Sequence, residues 1–158
     1  MEYDALTGLL RWKDRPELKP NDRARLTGTV AGHANSGGHI QIMISGELFL
    51  AHRLIWKLVT GNEPDDEIDH KNSIGSDNRW DNLRQATSAQ STMNSRRRSN
   101  NKSGYKGVYW NKKSRKWETS IRMGGKCYYL GGFDDPKDAH EAYVEAAKRL
   151  HGEFARVA

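Results

Sequence analysis

Short alternating stretches and tight turns dominate the first fifty residues. Apolar and more polar side chains alternate over residues 38–44, and Ser45-Gly46 then lead into a second apolar stretch, 47–51. A period of two followed by a two-residue turn containing glycine predicts a β-hairpin. Residues 8–12 predict another short strand. The chain therefore begins with a β region.

The pattern then changes to a helix and a strand, loop, strand, helix sequence. Residues 52–60 read HRLIWKLVT and carry apolar side chains at helical spacing, with Gly61 as the expected stop. The following segment, EIDHKNSIGSDNRWDNLRQATSAQSTMNSRRR, predicts a strand, a polar loop, a second strand and a helix. Thr87 with Gln90 three residues later predicts that this last helix begins with a capping box.

The last third predicts a small sheet covered by one helix. Three short strands are expected over 107–110, 117–123 and 126–130, with Gly124-Gly125 as the tight turn between the last two. Asp135-Pro136 then starts an amphipathic helix that ends near Gly152. The fold class is α+β. The expected domains are 1–94, a basic linker 95–103, and 104–158.

Charge separates the two ends of the chain. Residues 1–94 hold 11 Lys and Arg against 13 Asp and Glu, whereas residues 95–158 hold 15 against 7. Between Arg96 and Lys126 there are 11 cations and one acid, Glu118, interleaved with tyrosines and tryptophans. Such a block is typical of a surface that binds a polyanion. A solvated lysine-rich face is the alternative, although such faces are usually more scattered.

Composition excludes several other classes. Mean hydropathy is −0.90 and no apolar run approaches the roughly 20 residues of a membrane helix, so we expect an intracellular, cytoplasmic protein without membrane contact. The single Cys127 has no partner for an internal disulfide and no zinc-finger spacing around it. The core alone must therefore hold the fold. Nothing in the sequence indicates a protein partner.

Asp69-His70 is the candidate for chemistry. A carboxylate beside an imidazole at the end of a strand can hold a divalent metal while the imidazole takes a proton from water. The dipeptide alone is weak evidence, because a histidine in a loop is more often merely solvated. The sequence around the dipeptide is the stronger evidence for a catalytic role.

The order HRLIW, IDH, SDNRWDNLR and a helix with Gln and Asn resembles the phage HNH homing endonucleases, which have the ββα-metal fold. The likeness covers about residues 50–97. It implies that His70 is the general base, that Asp69 binds the metal, and that Asn82 fixes the loop bearing His70. It further implies one Mg²⁺, with Mn²⁺ possible, and products with 5′-phosphate and 3′-hydroxyl ends. His52 is expected to pack or to form a hydrogen bond rather than to catalyse. Trp56 and Trp80 are expected to be core or loop-anchoring aromatics rather than platforms for base stacking.

The third position of the HNH signature departs from that family. Members commonly carry an asparagine ligand nine residues after the middle Asn, where this chain has Ser91. Asn94 lies three residues further on, about 4.5 Å along a helix, whereas a magnesium ligand sits about 2.1 Å from the ion. Three hypotheses remain open. Ser91 ligates directly or through water, the helix is shifted so that Asn94 reaches the metal, or the site binds metal weakly.

Residues 103–156 resemble the plant APETALA or ethylene-response-factor DNA-binding domain, which is also found fused to phage HNH nucleases. The likeness implies a three-stranded sheet in the major groove of duplex DNA with a helix behind it. Tyr109 and Asn111 stand where plant domains carry arginines, and Ser120 where they carry a glutamate, so the plant target is not carried over. The implied groove-facing residues are Lys106, Tyr109, Asn111, Lys116, Ser120, Arg122 and Tyr129. We assign mainly phosphate contacts to Arg96, Arg97, Arg98, Lys102, Lys112, Lys113, Arg115 and Lys126.

Together these features predict a metal-dependent DNA endonuclease of the homing type, which as a monomer would nick one strand. The alternative is a weakly active or inactive HNH-derived protein that only binds DNA at specific sequences. An RNA-binding protein is a third possibility, but the alternating strands and the HNH context favour duplex DNA.

Cleavage by Ser91→Asn and Asn94→Ala variants separates the three hypotheses on the third ligand. Ser91→Asn raises cleavage if a weak or water-mediated ligand limits the metal site. The shifted-helix hypothesis predicts that Asn94→Ala abolishes cleavage. Normal cutting by Asn94→Ala removes the shifted-helix hypothesis.

Overall fold

The computed structural model describes residues 1–157, and their contacts divide the chain into two units. The first comprises Met1–Ala86, and the second begins at Thr87. Each unit has its own hydrophobic core. Among residues 1–157, no helix is long and apolar enough to cross a membrane.

The first unit consists of three small antiparallel sheets and two helices. Its sheets pair β1 with β2, β3 with β4 and β4 with β5, and β6 with β7. A 3₁₀ turn, Trp80–Asn82, directly precedes β7. The elements are β1 (Glu2–Asp4), β2 (Leu9–Arg11), α1 (Pro20–Leu26), β3 (His33–Ala34), β4 (Ile40–Ile44), β5 (Glu47–Leu50), α2 (Ala51–Thr60), β6 (Glu67–His70) and β7 (Leu83–Ala86).

One core joins these sheets. Ile42 of β4 and Ile55 of α2 are fully buried, and Leu10, Ile68 and Leu83 pack in the same cluster. Because α2 contacts both β4 and β5, it covers the hairpin as predicted. The helix ends where Gly61 adopts a left-handed conformation, with φ of 79°, and its N–H binds the Lys57 carbonyl at 2.9 Å.

The second unit is a three-stranded sheet with helices. It contains α3 (Ser88–Met93), β8 (Val108–Asn111), β9 (Lys116–Met123), β10 (Lys126–Phe133) and α4 (Pro136–His151). The antiparallel order is β10, β9, β8, and α4 packs mainly on β9 and β10. Ile121, Tyr143, Ala146 and Ala147 form its core. The predicted capping box of α3 and the N-cap of α4 at Asp135 are confirmed, as is the α+β class.

Strand β10 and helix α1 differ from the sequence-based expectation, which also did not include the short strands β1 and β3. Strand β10 continues to Phe133 rather than ending at Leu130, because a register shift between Tyr129 and Gly131 lets pairing with β9 resume. Helix α1 was not predicted. Its sequence, PNDRARL, has no apolar stripe that a periodicity argument could detect. The helix accordingly buries no residue.

Substitution of Gly107 tests the packing of the second unit. Its φ is +80°, and a Cβ there would lie 2.2 Å from the Tyr143 ring. We expect Gly107→Ala to lower the free energy of unfolding by roughly 1–3 kcal/mol more than Gly104→Ala. Gly104 is the matched control, because its φ is +79° and nothing lies within 4 Å. Urea unfolding of both variants measures the difference, and equal destabilisation would contradict the packing argument.

Candidate active site and nucleic-acid interface

Strand β6 ends at the two residues that the sequence singled out. Asp69 pairs with Arg84 in β7, and His70 pairs with Leu83. Both side chains are buried, at 8% and 4% exposed. Successive residues of a strand point to opposite faces, so the carboxylate and the imidazole diverge from the strand.

Asn82 fastens the loop that follows His70. Its Oδ1 accepts the N–H of Asn72 at 3.0 Å, and its Nδ2 donates to the Asp77 carbonyl at 2.7 Å and to Asn72 Oδ1 at 3.1 Å. The side-chain amide thus bridges the loop backbone in the way expected. Its position differs slightly from the prediction, because it ends the 3₁₀ turn before β7 rather than lying within the strand.

Asn78 holds the imidazole of His70, and sequence reasoning missed it. The Nε2–H of His70 donates to Asn78 Oδ1 at 2.9 Å, and Asn78 is 2% exposed. The backbone carbonyl of Asn78 accepts the Tyr3 hydroxyl at 2.8 Å, so the N-terminal hairpin supports this part of the loop. A signal was present in the repeated Asp-Asn pair at 77–78 and 81–82. With Nε2 donating, Nδ1 is the nitrogen that can accept a proton.

Two further histidines surround His70. The ring centroids of His39 and His52 lie 5.6 and 5.1 Å from that of His70, and 5.5 Å from each other. His52 is 5% exposed, and its Nδ1 has no hydrogen-bond partner among the described residues. It packs against the other rings from α2, as the sequence predicted.

Burial favours the neutral form of His52 and of His70. Burial, reinforced by the neighbouring His70 and His39, lowers the pKa of His52 to about 3. Burial also lowers the pKa of His70, and the hydrogen bond from Asn78 partly opposes that shift. At neutral pH His70 is therefore unprotonated, which is the state that a general base requires.

Asp69 is the carboxylate that would hold a metal. Its Oδ2 accepts two N–H groups of Arg84, at 2.9 and 2.8 Å, and the pair is buried. Within residues 1–157, no three His, Cys, Asp or Glu side chains are grouped to hold a metal ion. Magnesium commonly uses only one or two carboxylates, together with water and substrate phosphate. A single carboxylate such as Asp69 is compatible with a divalent metal, and its ligation of a metal stays a prediction.

The candidate third ligands both lie on the second unit. Ser91 is partly buried within α3, and Asn94 is the C-cap of that helix. Asn94 is 4% exposed and its N–H binds the Gln90 carbonyl at 3.1 Å. Metal ligation by either residue stays a prediction. Because Asn94 is buried, any cleavage assay of Asn94→Ala needs an unfolding curve beside it.

The register of the second sheet groups most of the predicted groove-facing residues. On one side of β9, Tyr109 and Asn111 of β8 pair with Glu118 and Lys116. On the other side, Tyr129 of β10 pairs with Ser120. Directly paired residues share a face, and so do alternate residues of one strand. One face therefore carries Tyr109, Asn111, Lys116, Glu118, Ser120, Arg122 and Tyr129, which we call the reading face. The opposite face carries Thr119 and Ile121, buried beneath α4.

Lys106 has a different environment from the other lysines. Its Nζ donates to the carbonyls of Met93 at 2.9 Å and Ser95 at 2.6 Å. Burial, with a smaller contribution from Arg156, lowers its pKa to about 8. Lys106 thus ties the end of α3 to the start of the sheet. A contact between Lys106 and DNA stays a prediction.

The remaining predicted phosphate contacts are exposed. Lys126 pairs with Met123 and so lies on the face opposite to Arg122. A groove of about 670 Å³ runs beside the sheet, and none of its lining residues is acidic. Its cations are Arg96, Arg97, Arg98, Lys106 and Arg122. The other exposed cations in the predicted set are Lys102, Lys112, Lys113 and Arg115.

Comparison with known families finds one match in each part of the chain. Residues 49–93 match the HNH endonuclease family, and residues 103–153 match the AP2 domain. The chain carries an HNH domain followed by an AP2 domain. The HNH match includes Asp69, His70 and Asn82, and also α3, although the contacts of α3 assign it to the second unit. These domains support a DNA-binding, nuclease-like protein.

A phage protein is also similar. Protein 3.8 of Escherichia phage T7 is 29% identical over 106 residues, which is 66% of this chain and 87% of the phage protein. No solved structure matches the chain significantly.

The stability of the first unit should fall in acid because of His52. Its pKa of about 3 in the folded state lies well below the ordinary histidine value of about 6.5, so the native state resists protonation. The contribution of neutral His52 to the free energy of unfolding is complete above pH 6.5. It is lost as the pH falls towards 3, by up to about 1.4 kcal/mol per pH unit. We expect His52→Leu to flatten the dependence of the urea midpoint on pH between 6.5 and 4.5. The control His33→Gln, which removes an exposed histidine, should keep the wild-type slope, and an unchanged slope in His52→Leu would contradict this account.

Proposed function

We propose that the chain is a metal-dependent DNA endonuclease of the homing type, which nicks duplex DNA and is directed by its AP2 domain. The observation that carries the proposal is the buried hydrogen bond between His70 Nε2 and Asn78 Oδ1, at the residue that follows Asp69 in β6. It orients a neutral imidazole with Nδ1 as the proton acceptor.

The chain's own groups account for the proton transfer. His70 takes a proton from water as the oxygen attacks the phosphorus of a phosphodiester. The bond from phosphorus to O3′ breaks, and O3′ leaves and takes up a proton to give the 3′-hydroxyl end. Asn78 then stabilises the imidazolium, because its Oδ1 accepts the hydrogen of Nε2 in both protonation states. Asn82 keeps the loop from moving during this step. Asp69 would hold Mg²⁺, or alternatively Mn²⁺, which supplies electrostatic stabilisation for the developing phosphate charge and the leaving oxygen.

The alternative is a DNA-binding protein that retains the HNH fold but cuts poorly. Two observations favour it. Ser91 occupies the position of the family's asparagine ligand, and Arg84 neutralises the carboxylate of Asp69. A cation bound to a metal ligand competes with the metal, since both require the same oxygen. Activity decides between the two functions.

The nicking of supercoiled plasmid by the His70→Ala variant tests the proposal. Without the base we expect the rate to fall by at least 10²-fold, in the range typical of general-base removal. Asn78→Ala should retain part of the activity, because the base remains but loses its orientation. Both variants should bind duplex DNA with wild-type affinity, since neither residue belongs to the AP2 domain. Undiminished cutting by His70→Ala would exclude His70 as the base.

A further inference from the structure

Glu118 is the one acid in the basic block, and it lies on the reading face between Lys116 and Ser120. A carboxylate among so many cations would be expected to form an ion pair. In the described part of the chain, Glu118 instead binds three neutral donors and no cation. It is only 9% exposed, so these donors hold it in one orientation.

The three donors use the two oxygens unequally. Oε1 accepts Asn111 Nδ2 at 2.9 Å and Ser114 Oγ at 2.8 Å, whereas Oε2 accepts only the Tyr109 hydroxyl, at 3.3 Å. A carboxylate offers about four lone-pair positions. The bonds from Asn111 and Ser114 also lower the pKa of Glu118. The carboxylate is therefore ionised and accepts hydrogen bonds only, with capacity left at Oε2.

The same network occupies Asn111. Its Oδ1 accepts the N–H groups of Lys113 at 2.8 Å and Ser114 at 3.4 Å, while its Nδ2 donates to Glu118. An asparagine that reads adenine needs both ends of its amide. Asn111 therefore closes the turn after β8 and positions Glu118.

The neighbours of Glu118 on the reading face are a glycine and two exposed tyrosines. The residue paired with Glu118 on β10 is Gly132, which has no side chain. The nearest side-chain atom to a Cβ built there is the Tyr129 hydroxyl, at 3.2 Å. On its other side Tyr109 is 46% exposed. The Lys116 side chain also lies near Gly132, at 3.5 Å from the same built Cβ, and the hydroxyl of Tyr109 is the group that binds Oε2.

We propose that Glu118 reads an exocyclic amino group of a base in the major groove, cytosine N4 or adenine N6, through Oε2. The inference rests on the proposed function, because it requires the reading face to enter the groove. Phosphates repel a carboxylate, and the amino groups of cytosine and adenine are the hydrogen-bond donors on the major-groove edges. Guanine O6 and thymine O4 are acceptors, so a fixed carboxylate repels them. Glu118 is thus a specificity-determining residue.

Selection from a pool of duplexes with randomised positions tests this inference. The full chain is used without divalent metal, so that bound DNA is not cut. We expect the wild-type consensus to contain one position restricted to cytosine or adenine on one strand. In Glu118→Gln that position should also accept guanine and thymine, because an amide can donate as well as accept, while the other positions stay unchanged. The matched control Lys116→Gln, on the same face, should weaken binding and keep the restriction.

A second measurement leaves the protein intact, and so does not depend on the folding of a variant. The selected duplex is resynthesised with a base that lacks the amino group at the restricted position. Wild-type affinity should fall roughly 10-fold, the effect expected for one hydrogen bond to a charged acceptor. Unchanged affinity, an unchanged restriction in Glu118→Gln, or a wild-type selection without any consensus would each overturn the inference. Failure of the wild-type chain to bind any duplex would instead refute the proposed function.

Discussion

The hydrogen bonds of Asn82 are the restraint on which the first unit depends. One amide joins the backbone at Asn72 to the backbone at Asp77, so the loop between β6 and β7 has one shape. That shape brings Asn78 to the imidazole of His70. Without the bridge, the loop would exchange these bonds for water, and the buried histidine would lose its partner. A single side chain thus converts a polar loop into a support for the candidate base.

The environment around this loop sets the chemistry of His70. The rings of His39 and His52 pack beside it and help to keep it out of water, which lowers its pKa. The hydrogen bond from Asn78 limits that shift. The N-terminal hairpin contributes through Tyr3, whose hydroxyl binds the Asn78 backbone. Gly75 packs directly against the ring of His39, since a Cβ at this position would lie 2.7 Å from that ring. The β region that precedes the HNH match therefore acts as part of the site.

Local signals explain what the sequence could predict. The helix ends at Gly61, Thr87 and Asp135 and the tight turn at Gly124-Gly125 could be predicted. Glycine and capping residues act through their nearest neighbours in the chain. The roles of Asp69, His70 and Asn82 came from spacing that resembles a known family. Long-range partners were not accessible in this way. The contact of Asn78 with His70, the ion pair of Asp69 with Arg84, and the carbonyls that bind Lys106 all depend on the packing of separate elements. Helix α1 left no apolar pattern at all.

The central claim is that the restrained His70 and the carboxylate of Asp69 make this HNH domain a working nuclease. The most direct measurement follows the supercoiled form of a plasmid incubated with the wild-type protein, with Mg²⁺ and with a chelator. We predict conversion to the nicked circle with Mg²⁺ and none with the chelator. A plasmid that stays supercoiled in Mg²⁺ and in Mn²⁺, while a binding assay shows it occupied by protein, would contradict the claim and leave a DNA-binding protein with an inactive HNH domain.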